Sequence, residues 1–215
     1  MTDSTIAQKS ASTSTATGDA AASQTAHATH DAPGSDAEAR TLAAMQEECD
    51  ELAARILAAC RTRGLFVCAS ESLTGGLLAD AFVRIPGASA VFLGSAVTYA
   101  IEAKAHILGV NSGLLEREGA VHPDVAKQMA VGTVAAYSVP ASRDGRVIGL
   151  STTGVAGPGP DGDKPEGLVY IGFAVPGPEG LHSEAERLDL SGTRAEIRRD
   201  TVLHVLRSLA SRLAA

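Results

Sequence analysis

Leu65-Phe66-Val67-Cys68-Ala69-Ser70-Glu71-Ser72-Leu73-Thr74-Gly75-Gly76 is the stretch on which the fold turns. Its first five residues are an apolar run too short for a helix and suited to a buried strand. The run ends in hydroxyl side chains and passes through Gly-Gly into Leu77, Leu78, Ala81, Phe82 and Ile85, whose spacing marks one face of a helix closed by Pro86-Gly87. A strand that feeds a helix through a tight turn is the building unit of α/β sheets. At such a turn the first N–H groups of the helix have no partner within it, so they converge on a place suited to an anion or oxyanion. The same residues also fit a plain N-cap with glycines for close packing. A carboxylate, two glycines and several hydroxyls in seven residues exceed what a cap requires.

Upstream, Leu42, Met45, Cys49, Leu52 and Ile56 recur at spacings of three and four after a capping box at Ser35-Asp36-Ala37-Glu38. That predicts an amphipathic helix ended by Gly64. Before it, residues 1–38 hold 23 Ala, Ser or Thr and only Met1 and Ile6 as large apolar side chains. Such a segment buries too little to offset its chain entropy and is read as a disordered tail, leaving 39–215 as a single domain. Downstream, strands are expected over Ala90–Tyr99 and Val147–Ser151, and helices over Glu102–Leu108 and Pro123–Tyr137. Gly167–Val175 and Leu181–Leu190 read as a hairpin, and a last helix carries Ile197, Val202, Leu206, Leu209 and Leu213. Strands alternate with helices in the first half and pair as a hairpin in the second. The expected architecture is therefore α/β, a three-layer α/β/α sandwich around a mixed sheet.

Composition narrows the function. Of 215 residues 45% are hydrophobic, so a core is available, while aromatics are only 3% with no Trp, which disfavours base stacking on nucleic acid. Lys plus Arg number 18 against 25 Asp plus Glu, and a net charge of −7 does not gather phosphate backbones. No apolar run approaches the roughly 18–20 residues of a membrane span, and the first 30 residues lack the pattern of a signal peptide. Cys49, Cys60 and Cys68 form no C-x-x-C pair and read as reduced core thiols. A cytoplasmic protein without nucleic-acid or membrane partners is expected.

Ser72 is a candidate nucleophile, yet a serine hydroxyl is weak without a base. The chain has no G-x-S-x-G elbow and no S-x-x-K pair, so the common esterase and β-lactamase patterns fail. The candidate bases are Lys104, His106 and His122. Lys104 follows a strand-to-helix turn that shares a sheet edge with Ser72 if the two strands are parallel. It stands five residues after Tyr99, not the four of a short-chain dehydrogenase. None of the six histidines falls in a metal-binding spacing, so no metal and no cofactor is expected. Gly157-Pro158-Gly159-Pro160-Asp161-Gly162 formally matches G-x-G-x-x-G, but a strand follows where a dinucleotide fold needs a helix. It reads as a loop, rigid in part, able to wall a pocket.

Together, Ala69 to Gly76, Tyr99 through Lys104, Gly154 to Gly159, and Lys164-Pro165 with Gly167 and Tyr170 resemble, in order and spacing, the C-terminal domain of competence-damage-inducible protein A. The resemblance covers about residues 40–214. It implies the activity of the stand-alone form of that domain, nicotinamide-nucleotide amidase: hydrolysis of nicotinamide mononucleotide to nicotinic acid mononucleotide and ammonia in pyridine nucleotide salvage. It further implies Ser72 as nucleophile, Lys104 as its base, and Tyr99 as a proton-relay or orienting hydroxyl. The N–H groups of Thr74, Gly75 and Gly76 would hold the oxyanion. Thr153, Gly154 and Arg194 would bind the nucleotide, with Arg198 and Lys164 as further phosphate candidates, and a homodimer is implied. The sequence departs from the family pattern at Leu73, where Cys is frequent, at Pro160, a usual Gly, at His122, commonly Ser, and in a slightly longer 139–146 stretch. The large N-terminal domain of the full competence protein, with its pyrophosphatase activity, has no counterpart in these residues.

Overall fold

Alternation along the first strand sets the layers. Val67, Ala69 and Glu71 turn to one face and Cys68 and Ser70 to the other. The structure, a computed structural model, describes residues 36–214; residues 1–35 of the tail, with Ser35 of the capping box, lie outside the described residues, while 36–38, read as the end of the tail, open the first helix. In chain order the described residues form α1 (Asp36–Arg63), β1 (Phe66–Glu71), α2 (Leu77–Val83), β2 (Phe92–Val97), α3 (Ile101–Leu108) and α4 (Ser112–Glu118). There follow α5 (Pro123–Tyr137), β3 (Val147–Gly154), β4 (Leu168–Gly177), β5 (Gly180–Asp189) and α6 (Arg194–Ala214). No helix among them is long and apolar enough to cross a membrane.

The five strands form one sheet in the order β2-β1-β3-β4-β5. β1 runs parallel to both β2 and β3, and β4 and β5 add antiparallel strands, so the sheet is mixed as expected. Helices α1, α2 and α6 bury Leu52, Ile56, Phe82, Ile197, Leu206 and Leu209 against Val67, Leu150, Ile171 and Phe173. Helix α5 covers the other face, with α3 packed beside it. This is the three-layer α/β/α arrangement.

The α5 face is lined by very small side chains. A Cβ at Gly149 would strike the Ala130 carbonyl, and one at Gly172 would strike that of Ala126. Both glycines are required because the helix lies directly on the strands. Hydroxyls fasten the contact: Ser151 Oγ donates to Ala126 O at 2.7 Å, and Thr153 Oγ1 donates to Ala120 O, just ahead of the helix, at 2.7 Å.

Two elements depart from the sequence reading. Helix α4 was not anticipated; Asn111 caps it by accepting from Leu114 N at 2.9 Å, and Leu114 and Leu115 anchor it. Its two turns are too short to show a periodicity. Strand β3 runs three residues past Ser151, because Thr152, Thr153 and Gly154 pair with Ile171, Tyr170 and Val169 of β4. Thr153 and Gly154 therefore sit at a strand end beside the carboxyl ends of β1 and β2, where parallel strands leave a crevice.

Candidate active site

Ser72 follows β1 directly, and its N–H donates to Thr152 O at 3.0 Å, so its main chain continues the sheet while its side chain is carried to the edge. The parallel neighbour β2 ends at Val97, and three residues later α3 begins. That places Lys104 opposite the serine, with Nζ 3.1 Å from Ser72 Oγ. Lys104 Nζ also donates to Thr98 O at 2.7 Å and to Tyr99 O at 3.2 Å. The side chain is fully buried, and no carboxylate pairs with it among the described residues. Burial alone pulls its pKa from 10.5 to about 8.

The three contacts serve an ammonium, which donates to all three oxygens, and equally the neutral amine that forms above pH about 8. The neutral amine has two N–H bonds, which two carbonyls can accept, and one lone pair, left for the hydroxyl proton of Ser72. Ser72 and Lys104 open into a cleft of about 340 Å³ that Tyr99, Ala120, Thr153, Gly154, Asp161 and Arg194 also line.

The sequence model of the CinA C-terminal domain matches residues 49–213. The chain belongs to the CinA C-terminal domain family. It is 44% identical over 157 residues to a CinA-like protein of Frankia casuarinae, an alignment covering 73% of this chain and 34% of that protein. The chain spans about a third of the length of the curated relatives it matches. Among solved structures, the competence/damage inducible protein CihA of Agrobacterium tumefaciens is 35% identical, with a TM-score of 0.69, covering 78% of this chain and 96% of that one. The competence damage-inducible protein A (ComA) of Klebsiella pneumoniae gives 29% identity and a TM-score of 0.69 over 77% and 97%.

Within this CinA domain, several residues take other parts than the sequence suggested. The Tyr99 side chain is 62% exposed in the residue as a whole and its hydroxyl accepts from Arg194 Nη2 at 3.3 Å. It is the Tyr99 carbonyl, not the hydroxyl, that touches Lys104, while the side chain lines the cleft against Arg194. Of the N–H groups of Thr74, Gly75 and Gly76 expected to hold an oxyanion, that of Gly76 is already taken. The Gly76 N–H donates to Glu71 Oε2 at 2.9 Å, Thr74 is fully buried, and neither they nor Gly75 line the cleft. Leu73 does line it, and its N–H donates to no group among the described residues.

Arg198 and Lys164 are engaged elsewhere. Arg198 spans the nucleophile turn, donating from Nε to Leu73 O at 2.8 Å and from Nη2 to Thr74 O at 2.9 Å. Lys164 pairs with Asp163 at 3.1 Å. His106 is exposed on α3, and His122 Nδ1 accepts from Asp124 N at 3.2 Å as the cap of α5, a post for which serine is well suited. Of the three candidates, Lys104 is therefore the one whose side chain lies against Ser72. The three thiols are buried, which pushes Cys49 and Cys60 up to about 11 and Cys68 up to about 12, far from thiolate chemistry at neutral pH. Arg194 opens α6, where Thr193 and Glu196 form a reciprocal capping box.

Glu71 organises the turn that the CinA motif places around Ser72. Fully buried, it accepts from the N–H groups of Gly76, Leu78 and Ala79 and from the hydroxyls of Thr74 and Ser95, at 2.8–3.0 Å. A carboxylate at the start of α2 is favoured by the helix dipole and by these donors. In Glu71→Gln the amide NH₂ would face at least one main-chain N–H whichever way it is turned, since Gly76 and Leu78 donate to one oxygen and Ala79 to the other. The variant should lose about 3 kcal/mol or more and melt roughly 6–12 °C lower, as read by thermal unfolding. An unchanged midpoint would show that the carboxylate charge plays no part in holding the turn.

Proposed function

We propose that the chain is an amidase that hydrolyses the carboxamide of nicotinamide mononucleotide to nicotinic acid mononucleotide and ammonia. The observation that carries this reading is the buried Lys104 amine directed at Ser72 Oγ on the wall of an open cleft. Family membership supports it. A module that only binds nucleotide gains nothing from a desolvated lysine held against a serine, whereas a nucleophile needs that base.

Neutral Lys104 takes the Ser72 proton as Oγ attacks the carboxamide carbon. The carbonyl oxygen becomes an oxyanion, for which the N–H of Leu73, without a partner among the described residues, is a main-chain donor on the cleft wall. The adduct collapses, Lys104 returns the proton to the leaving nitrogen, and ammonia departs from an ester on Ser72. Water then gives a proton to Lys104 while its oxygen attacks the ester carbon. Collapse of this second adduct frees the carboxylic acid and restores the Ser72 hydroxyl.

Arg194 supplies the hold on the phosphate. Its guanidinium is exposed at the cleft and already donates to Gly157 O and to the Tyr99 hydroxyl, and its five N–H donors leave others for an anion. Phosphate binding, remote from the amide, would serve to seat the carbonyl against Ser72. The test is ammonia release from the mononucleotide, its riboside and free nicotinamide. The mononucleotide should be the best substrate and nicotinamide nearly inert. Arg194→Ala should cost about 1.5–3 kcal/mol, or about 10- to 150-fold in kcat/KM, on the mononucleotide and little on the riboside. Equal losses on both would assign Arg194 to holding the Gly157 loop, and equal wild-type rates on all three would point to a different amide as substrate.

A further inference from the structure

We propose, resting on the amidase reading of this cleft, that Asp161 makes the site selective for carboxamides on a positively charged, N-substituted pyridinium ring over the same amides on a neutral ring. Among the residues lining the cleft, Asp161 is the one carboxylate. It is exposed, and its side chain forms no ion pair or hydrogen bond among the described residues. The nearest basic neighbour in the loop, Lys164, is spent on Asp163. Arg194, the cation of the same cleft, donates to Gly157 O and the Tyr99 hydroxyl. The carboxylate of Asp161 thus makes no direct ion pair in the cleft, whose cations Arg194 and Lys104 are each held by other groups, and it stays open to a cationic group of a ligand.

The support beneath Asp161 is firm. Its N–H donates to Lys164 O at 2.9 Å and its carbonyl accepts from Lys164 N at 3.0 Å, which closes a narrow turn. Glu166 accepts from Gly159 N, and Arg194 ties down Gly157, so the loop is held on both sides of the carboxylate. A carboxylate on a fixed loop acts on a cation in the cleft without first having to be ordered, and the low-dielectric wall formed by Val121 and Ala156 strengthens the attraction. A permanent ring charge would feel it, whereas a neutral ring of the same outline would not.

The experiment compares nicotinamide mononucleotide with its reduced form, whose dihydropyridine ring is neutral and whose ribose and phosphate are the same. Dissociation constants are measured by calorimetry on Ser72→Ala, which does not consume the ligand and is wild type at position 161, and on the same chain carrying Asp161→Asn or Asp161→Glu. With Asp161 in place the oxidised form should bind about tenfold more tightly. Asp161→Asn should bring the two within about threefold by weakening the oxidised form alone, and Asp161→Glu should restore part of the difference. The preference should also shrink as salt is raised. An equal loss on both forms would mean that Asp161 holds the sugar, and no loss on either would remove it from the site; both outcomes overturn the proposal. Binding needs no turnover, so a wild-type protein that releases no ammonia from the mononucleotide would count against the amidase reading while leaving the charge preference separately measurable.

Discussion

Ser72→Ala should lower ammonia release from nicotinamide mononucleotide by about a thousandfold or more, with substrate affinity and thermal midpoint close to wild type. The expectation follows from what the side chain touches. Ser72 Oγ meets Lys104 Nζ, while the main chain of residue 72 is held by Thr152 O independently of the hydroxyl. Removing Oγ leaves Lys104 its two carbonyl acceptors, so neither a cavity of consequence nor a stranded charge is created. Rapid-quench mass measurement on the wild type should show a transient gain of the acyl group on Ser72, absent in the variant. A variant retaining a tenth of the rate would make Ser72 a cap rather than a nucleophile.

Lys104→Met should be comparably severe, on the order of a thousandfold, because it removes the one basic side chain that touches Oγ among the described residues. Lys104→Arg should fail as well, since a guanidinium does not deprotonate at accessible pH. In the wild type the active form is the neutral amine. With its pKa at about 8, kcat/KM should rise tenfold per pH unit below that value and level off above it. Stability carries the same signature. The folded pKa lies below the usual 10.5, so between about 8 and 10.5 the unfolded chain binds more protons, and stability from this group increases as pH rises through that window. Below about 8 the buried charge imposes its full cost. Chemical denaturation of wild type against Lys104→Met across pH 7–10.5 should show a slope difference confined to that window. A flat difference would place the lysine in water.

Ser72 stood out from its strand-to-helix turn, whereas Lys104 was one of three candidate bases, near Ser72 only if the two strands ran parallel and paired with it by the resemblance; the strands do run parallel and the two side chains meet. Helix α5 was read with both ends correct, since Pro123 can occupy a first helical turn and nothing interrupts the pattern up to Tyr137. What stayed hidden were competitions for hydrogen bonds. The free N–H groups of the turn were recognised, but their taker at Gly76 is Glu71, five residues earlier, and only the packed rotamer of that carboxylate decides this. Arg198 looked like a phosphate ligand, yet it reaches Leu73, 125 positions away in the chain, because α6 crosses α2. Asp161 carried no pattern at all, since an acid in a Gly/Pro loop is ordinary until the loop is seen to border the cleft.

The contact of α5 with the sheet also bears on how this domain could diverge. Gly149 and Gly172 leave no room for even one methyl group, and the Thr153 bond to Ala120 carries that tight fit to the segment 119–121, which borders the cleft. Any added bulk on the seam would raise the helix and shift that border with it, so this side of the molecule cannot drift toward new substrates in small steps. The opposite border, the Gly/Pro loop bearing Asp161, is fastened by side chains that can be exchanged one at a time. Changes in ligand preference are therefore channelled to one rim of the cleft, while the other rim is frozen by the same packing that holds the sheet together.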